Sequence, residues 1–187
     1  MDKKELIRKH AEKLISKKGY HNTKIQEITK EANISVGTVY NYFSSKEEII
    51  EYIFYTQCKK ISNYIDEINM TAIDTTTKIR SFIEFCITDL EDAPDTLKII
   101  VQEGSLLMSL NSKINKIINE LIAKVASLIE EGKRKEEIKD VDTCFFTTII
   151  LYVIHGAING CLFSEKEYDY KKNNEQLISF IMDGLKK

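Results

Sequence analysis

At 187 residues, 43% of them apolar and 30% charged, the chain is long enough to bury a sizeable core in one compact body. One proline, seven glycines and no tryptophan leave few helix breakers, so an all-α chain is expected. The net charge of −2 excludes a globally basic protein; residues 1–50 carry ten Lys/Arg against seven Asp/Glu, leaving seventeen against twenty-two for the rest.

The four cysteines, Cys58, Cys86, Cys144 and Cys161, show neither a C-x-x-C pair nor clustering with histidine, which argues against a zinc site or a thioredoxin-like motif. They read as small hydrophobes in a reducing cytosol. The start "MDKKELIRKH" lacks the apolar core of a secretory signal, so a cytoplasmic protein is expected.

In chain order, Ile7, His10, Ala11, Leu14 and Ile15 form one stripe of an amphipathic helix, with Asp2 to cap its start and Gly19 to end it. In "TKIQEITKEAN", Thr23 and Gln26 have the spacing of a capping box, and Ile25, Ile28 and Ala32 supply a short apolar face. Asn33 suits the left-handed position after that helix, and Ser35 offers a new N-cap two residues later. Ser45 and Glu48 repeat the capping-box spacing ahead of a longer helix through Ile65. Further helices are expected near 75–91, 95–109, 112–132, 141–164 and 172–186, with Pro94 in a first turn and Gly132 marking an end. That makes about nine in total.

A helix from near Thr23, a turn at Asn33-Ile34 and a second short helix from Ser35 to about Phe43 make a helix-turn-helix packed on the first helix. Val39 and Phe43 face inward, while Gly37, Thr38 and Asn41 fall on the opposite face. A glycine on an exposed helix face costs about 1 kcal/mol against alanine, so it serves something other than helix propensity: it lets another backbone come close. The neighbouring groups fit a DNA duplex. Ser35, Thr38 and Asn41 can hydrogen-bond base edges, Val36 can touch a thymine methyl, and the Tyr40 and Tyr42 hydroxyls can reach phosphate oxygens. Lys24 and Lys46 stand in the first turns of their helices, unfavourable for a cation unless a phosphate docks there.

The order Ser-x-Gly-Thr-Val-Tyr-x-Tyr-Phe-x-x-Lys, with "AEKLISKKGYHNTKIQEITKEANIS" before it, resembles the DNA-binding domain of the TetR family of bacterial regulators over about residues 5–50. The resemblance implies a three-helix DNA-binding domain over residues 1–46 and a larger helical ligand-binding and dimerisation domain over 47–187. It further implies a homodimer that places one recognition helix per subunit in successive major grooves of a pseudo-palindromic operator. By position, Thr23 and Lys24 look like phosphate contacts; Ser35, Val36, Gly37, Thr38 and Asn41 like the reading surface; and Tyr40, Tyr42 and Lys46 like backbone clamps. The family often carries a basic or polar residue where this chain has Val36.

Residues 143–164 carry no charge and are long enough to cross a bilayer. Threonines, a histidine, an asparagine and two glycines dilute the run, so a helix buried between its own core and a partner is expected in place of a membrane span. Gly156 and Gly160 permit close helix approach, and Ile178, Phe180, Ile181 and Leu185 supply apolar surface on the last helix. In the TetR family the last two long helices pair with their mates as a four-helix bundle, which assigns 141–164 and 172–186 to dimerisation.

The resemblance also implies an inducer cavity. Phe54, Phe82, Phe85, Met108, Phe145, Tyr152, His155 and Asn159 are its candidate lining, for a small hydrophobic ligand. The stretch "KINKIINELIAKVASLIEEGKRKEEI" is faintly similar to members that respond to fatty acyl-CoA. No Ser/His/Asp arrangement, metal-spaced cluster, phosphate loop or paired carboxylates appear, so no catalytic residue, metal or cofactor is assigned. A ligand-released repressor is the expectation. An enzyme or a helical protein-interaction module without DNA binding is the alternative.

Overall fold

The computed structural model describes residues 2–110, 112–163 and 170–187, with the side chains of 89–92, 105–112 and 158–172 outside that description. Among the described residues the chain forms helices and no strands: α1 Lys3–Lys18, α2 Ile25–Ala32, α3 Val36–Tyr40, α4 Lys46–Asn69, α5 Thr75–Asp92, α6 Pro94–Leu110, α7 Ser112–Arg134, α8 Thr143–Phe163 and α9 Tyr170–Leu185. Every helix expected from the sequence is present. The chain groups into two compact units, Met1–Cys58 with Ala93–Ile117, and Lys59–Asp92 with Ile118–Lys187. The expected boundary between residues 46 and 47 falls inside the first.

In the first unit the Asp2 carboxylate caps α1 by accepting from the Lys4 N–H at 3.3 Å, and Gly19 ends it at φ 81°. The expected stripe is the core-facing one: Ile7, Ala11, Leu14 and Ile15 are buried with Ile28, Val39, Phe43, Ile49, Ile50 and Ile53. His10 on the same stripe is half-buried. α6 packs on α1. The Ser16 hydroxyl donates to the Asp95 carboxylate at 2.6 Å, and the Tyr20 N–H donates to Glu103 at 3.0 Å. Pro94 opens α6, where its missing N–H costs nothing.

The second unit is built around Ile65, Ile79, Phe82, Ile83, Leu128, Ile129, Ile150, Met182 and Leu185, with α5 packed against α8 and α9. The first turn of α5 is capped twice: the Glu137 carboxylate accepts from the Thr75 N–H at 2.6 Å, and Asp74 accepts from the Thr77 N–H at 2.9 Å. The Lys78 ammonium, almost fully buried, pairs with Glu131 at 3.5 Å. Gly132 does not end α7, which runs two residues further to Arg134. A Cβ there would meet Ile138 and Thr75 at 3.2 Å, so this glycine serves close packing.

Among the described residues no helix is long and apolar enough to cross a membrane. Instead, α8 buries one side in the unit core through Thr147, Ile150 and Ile154 and leaves another side exposed.

Candidate nucleic-acid interface

The segment from Gly19 to Lys46 is fixed by a chain of local hydrogen bonds. The Thr23 hydroxyl is buried and donates back to the Gly19 carbonyl at 2.9 Å, closing the turn after α1. The helix therefore starts one residue later than the sequence implies. Glu27, in place of Gln26, reaches back to the N–H of the N-cap residue, Lys24, at 3.0 Å. A 2.5 Å bond from Lys18, with that backbone contact, holds the Glu27 carboxyl below the usual carboxylate range.

Helix α2 ends in a Schellman turn. The Asn33 N–H donates to the Lys30 carbonyl at 3.3 Å and the Ile34 N–H to the Thr29 carbonyl at 3.0 Å, while Asn33 takes the left-handed conformation at φ 52°, ψ 48°. Asparagine is one of the few non-glycine residues that tolerates it. Two residues on, the Ser35 hydroxyl accepts from the Thr38 N–H at 3.0 Å and lies 2.9 Å from the Thr38 hydroxyl. It caps α3. The regular helix stops at Tyr40, short of the expected Phe43, but the Asn41 and Phe43 N–H groups still donate to the Gly37 and Val39 carbonyls, at 3.1 and 3.0 Å.

This geometry splits α3 into two faces. Val39 and Phe43 are fully buried beneath it. Ser35, Val36, Gly37, Tyr40, Asn41 and Tyr42 are exposed, and Thr38 is half-buried at their edge. Tyr40 is 52% and Val36 37% exposed, so a phenol and a branched alkyl group are open to a partner. A Cβ built on Gly37 meets only the Ser35 hydroxyl, at 3.8 Å, so nothing within the chain demands glycine there. Lys24 is exposed at the start of α2.

Two of the expected DNA contacts also bond within the chain. The Thr23 side chain is buried, with its hydroxyl donated to the Gly19 carbonyl. The Lys46 ammonium donates to the Tyr20 and Thr23 carbonyls at 2.7 and 2.9 Å and lies 4.2 Å from the Tyr20 ring centre. These carbonyl oxygens supply a negative partner for a cation in a helix first turn. Tyr20 completes the strut by donating to Glu47 at 2.6 Å, and burial together with that bond pushes its hydroxyl above the usual tyrosine value. The first turn of α4 also differs by one residue: the Glu48 N–H donates to the Ser45 hydroxyl at 3.3 Å, but the Glu48 carboxylate turns to Ser44, accepting from its N–H and hydroxyl at 2.6 and 2.7 Å.

The candidate ligand lining is spread over both units. Phe54 is buried in the first unit, and Phe82 in the core of the second; Phe85 stacks on Tyr64 with ring centres 3.9 Å apart. Phe145 and Tyr152 are 58% and 72% exposed on α8, and His155 is exposed on the same helix, so these three do not line the unit's interior. The side chains of Met108 and Asn159 lie outside the described residues, as do Gly160 and Cys161. Phe180 on α9, 72% exposed, joins Phe145 and Tyr152 in displaying aromatic surface. A Cβ on Gly156 would meet nothing within 4 Å.

Comparison with known proteins bears on both parts of the chain. Residues 7–53 match the model of bacterial regulatory proteins of the tetR family, and residues 57–184 match that of the C-terminal region of YsiA-like proteins. A relative from Bacillus subtilis, the uncharacterized HTH-type transcriptional regulator YhgD, is 27% identical over 157 residues spanning 82% of each chain. The fatty acid degradation regulator FadR from Bacillus halodurans superposes with a TM-score of 0.87 at 21% identity, covering 97% of this chain and 95% of that one. The transcriptional regulator FadR from Bacillus subtilis, solved in complex with stearoyl-CoA, superposes at 0.82 with 22% identity, covering 96% and 97%. At these identities the superpositions establish the fold. Since the two family models together span nearly the whole chain, it belongs to the TetR family of bacterial regulatory proteins and is a DNA-binding transcriptional regulator.

Proposed function

We propose that the chain is a cytoplasmic repressor that reads a palindromic operator through the outward face of α3 and is released by an acyl thioester of coenzyme A. The observation that carries the DNA assignment is the two-faced α3: Val39 and Phe43 buried beneath, and Ser35, Val36, Gly37, Tyr40 and Asn41 displayed above an open glycine. Thr38 adds a hydroxyl at the edge, Tyr40 and Tyr42 reach phosphates with theirs, and Lys24 adds a phosphate contact from α2.

Two copies join through residues 141–164 and 172–186. Exposed Phe145, Tyr152 and Phe180, with the open space at Gly156, favour this reading, since aromatic side chains of this size are costly to leave in water. The aromatic residues on α8 thus belong to the dimer face, and Phe82 and Phe85 with Tyr64 remain as the ligand's aromatic neighbours. The acyl-CoA assignment is supported by the stearoyl-CoA held by the Bacillus subtilis relative and by the fatty acid role named for the Bacillus halodurans one.

Gel shifts on the DNA upstream of the chain's own gene test the proposal, run with the wild type, Thr38→Ala and Tyr42→Ala, and with stearoyl-CoA added. The wild type is expected to bind and to be released by the thioester, with both variants weaker. Equal affinity in all lanes would defeat the assignment of α3, and indifference to every acyl chain length would defeat that of the ligand.

A further inference from the structure

The displayed face of α3 bears no charged side chain. Ser35, Val36, Gly37, Thr38, Tyr40 and Asn41 offer hydroxyls, one amide, one branched alkyl group and one phenol. The chemistry of the major groove makes that a statement about sequence. Guanine is read most strongly by Arg or Lys at O6 and N7, and cytosine N4 donates to Asp or Glu, whereas the adenine N6/N7 edge pairs with a carboxamide and the thymine methyl with an apolar side chain.

The lysines nearest α3 do not fill the gap. Lys46 is committed to the Tyr20 and Thr23 carbonyls and the Tyr20 ring. Lys24 and Lys30 belong to the α2 segment, the part of such a motif that crosses the sugar-phosphate backbone. At about 100° per residue, Asn41 stands opposite the buried Val39 and Phe43, at the crest of the outward face. Its amide makes no hydrogen bond to another described residue. Val36, 37% exposed, lies one turn before Tyr40 on the flank of that face, about 140° round the helix from Asn41.

We infer that α3 selects adenine·thymine pairs, Asn41 pairing with N6 and N7 of one adenine and Val36 packing on one thymine methyl, so that the core of each operator half-site is A·T. This rests on the reading of α3 as the DNA-contacting helix.

The test is selection of binding sites from random duplex DNA by the full chain, followed by titration of the selected site with base analogues. Replacing the read adenine by 7-deazaadenine removes the N7 acceptor, one of the two hydrogen bonds, and is expected to weaken the wild type roughly 2- to 13-fold and to leave Asn41→Ala unaffected. Uracil in place of the read thymine removes the methyl and is expected to cost the wild type about fourfold and Val36→Ser nothing. Both side chains are exposed, so unchanged far-UV circular dichroism is expected for the variants, and the analogue arm on the wild type needs no variant. Half-sites with G·C cores, or analogues without effect on the wild type, overturn the inference while leaving the DNA-binding role of α3 standing. Failure to enrich any sequence overturns both.

Discussion

Replacing Gly37 with alanine separates what the fold wants at this position from what DNA wants. The backbone there is helical, and the added methyl meets only the Ser35 hydroxyl at 3.8 Å, an ordinary van der Waals contact. Folding is therefore expected to gain. A glycine in a helix costs at most about 1 kcal/mol against alanine, and Gly37 stands in the first turn of α3; with each kcal/mol moving Tm by about 2–4 °C for a chain of this length, a rise of up to about 4 °C follows. Against a duplex the same methyl has no room if the groove wall approaches the bare Cα. Forcing one extra methyl group into a packed contact costs about 1–3 kcal/mol, or roughly 5- to 150-fold in affinity for each half-site. The paired readout is a thermal melt and a fluorescence-anisotropy titration on operator DNA, with higher Tm and at least tenfold weaker binding expected. A higher Tm with unchanged affinity would refute the claim that DNA comes close at Gly37, and a lower Tm would refute the account of α3 itself.

Lys46→Met keeps the aliphatic stem but removes the donors to the Tyr20 and Thr23 carbonyls, so it is expected to lower the urea unfolding free energy by about 1–3 kcal/mol while leaving the salt slope of DNA binding unchanged. Lys24→Ala is expected to do the reverse: unchanged stability, and a slope of log affinity against log salt shallower by about 0.9 for each phosphate no longer neutralised. Should the two variants exchange behaviours, the assignment of strut and phosphate ligand is wrong. Tyr152→Glu and Phe180→Glu place charge on the displayed aromatic surface and are expected to sediment as folded monomers; persistent dimers would move the interface elsewhere. At the start of α5, hydrogen bonds from Thr75 hold the Glu137 carboxyl below its ordinary value, and those from Thr77 do the same for Asp74. Because both folded values are lowered, their stabilisation is complete above the ordinary carboxylate range and is lost as pH falls through the lowered values. Glu137→Gln should therefore melt with a weaker acid dependence than the wild type below about pH 4.5, and parallel curves would contradict this.

The helices and most of their ends were legible because they depend on neighbours in sequence: Asp2, Asn33, Ser35 and Pro94 each do at their helix ends what their local chemistry dictates. The outward and inward faces of α3 were legible for the same reason. What the sequence hid lies in competition or distance. Thr23 has the spacing of an N-cap, yet its hydroxyl is captured by Gly19 four residues back, and the cap moves to Lys24. The unusual place of Lys46 was visible, but its partners lie 23 and 26 residues away in a turn whose shape no local pattern sets. The bonds that tie α6 to α1, Ser16 to Asp95 and Tyr20 to Glu103, span 79 and 83 residues. In α8, apolar residues occur all round the helix, so no periodicity told Phe145 and Tyr152, which face outward, from Ile150 and Ile154, which face the core.

The central claim is that two copies of this chain set one α3 each into successive major grooves. A hydroxyl-radical footprint of the purified protein on its operator measures this directly. Two protected patches on one face of the duplex, centred about 34 Å or one helical turn apart, are expected. A single patch, or protection spread evenly around the helix, would contradict the account.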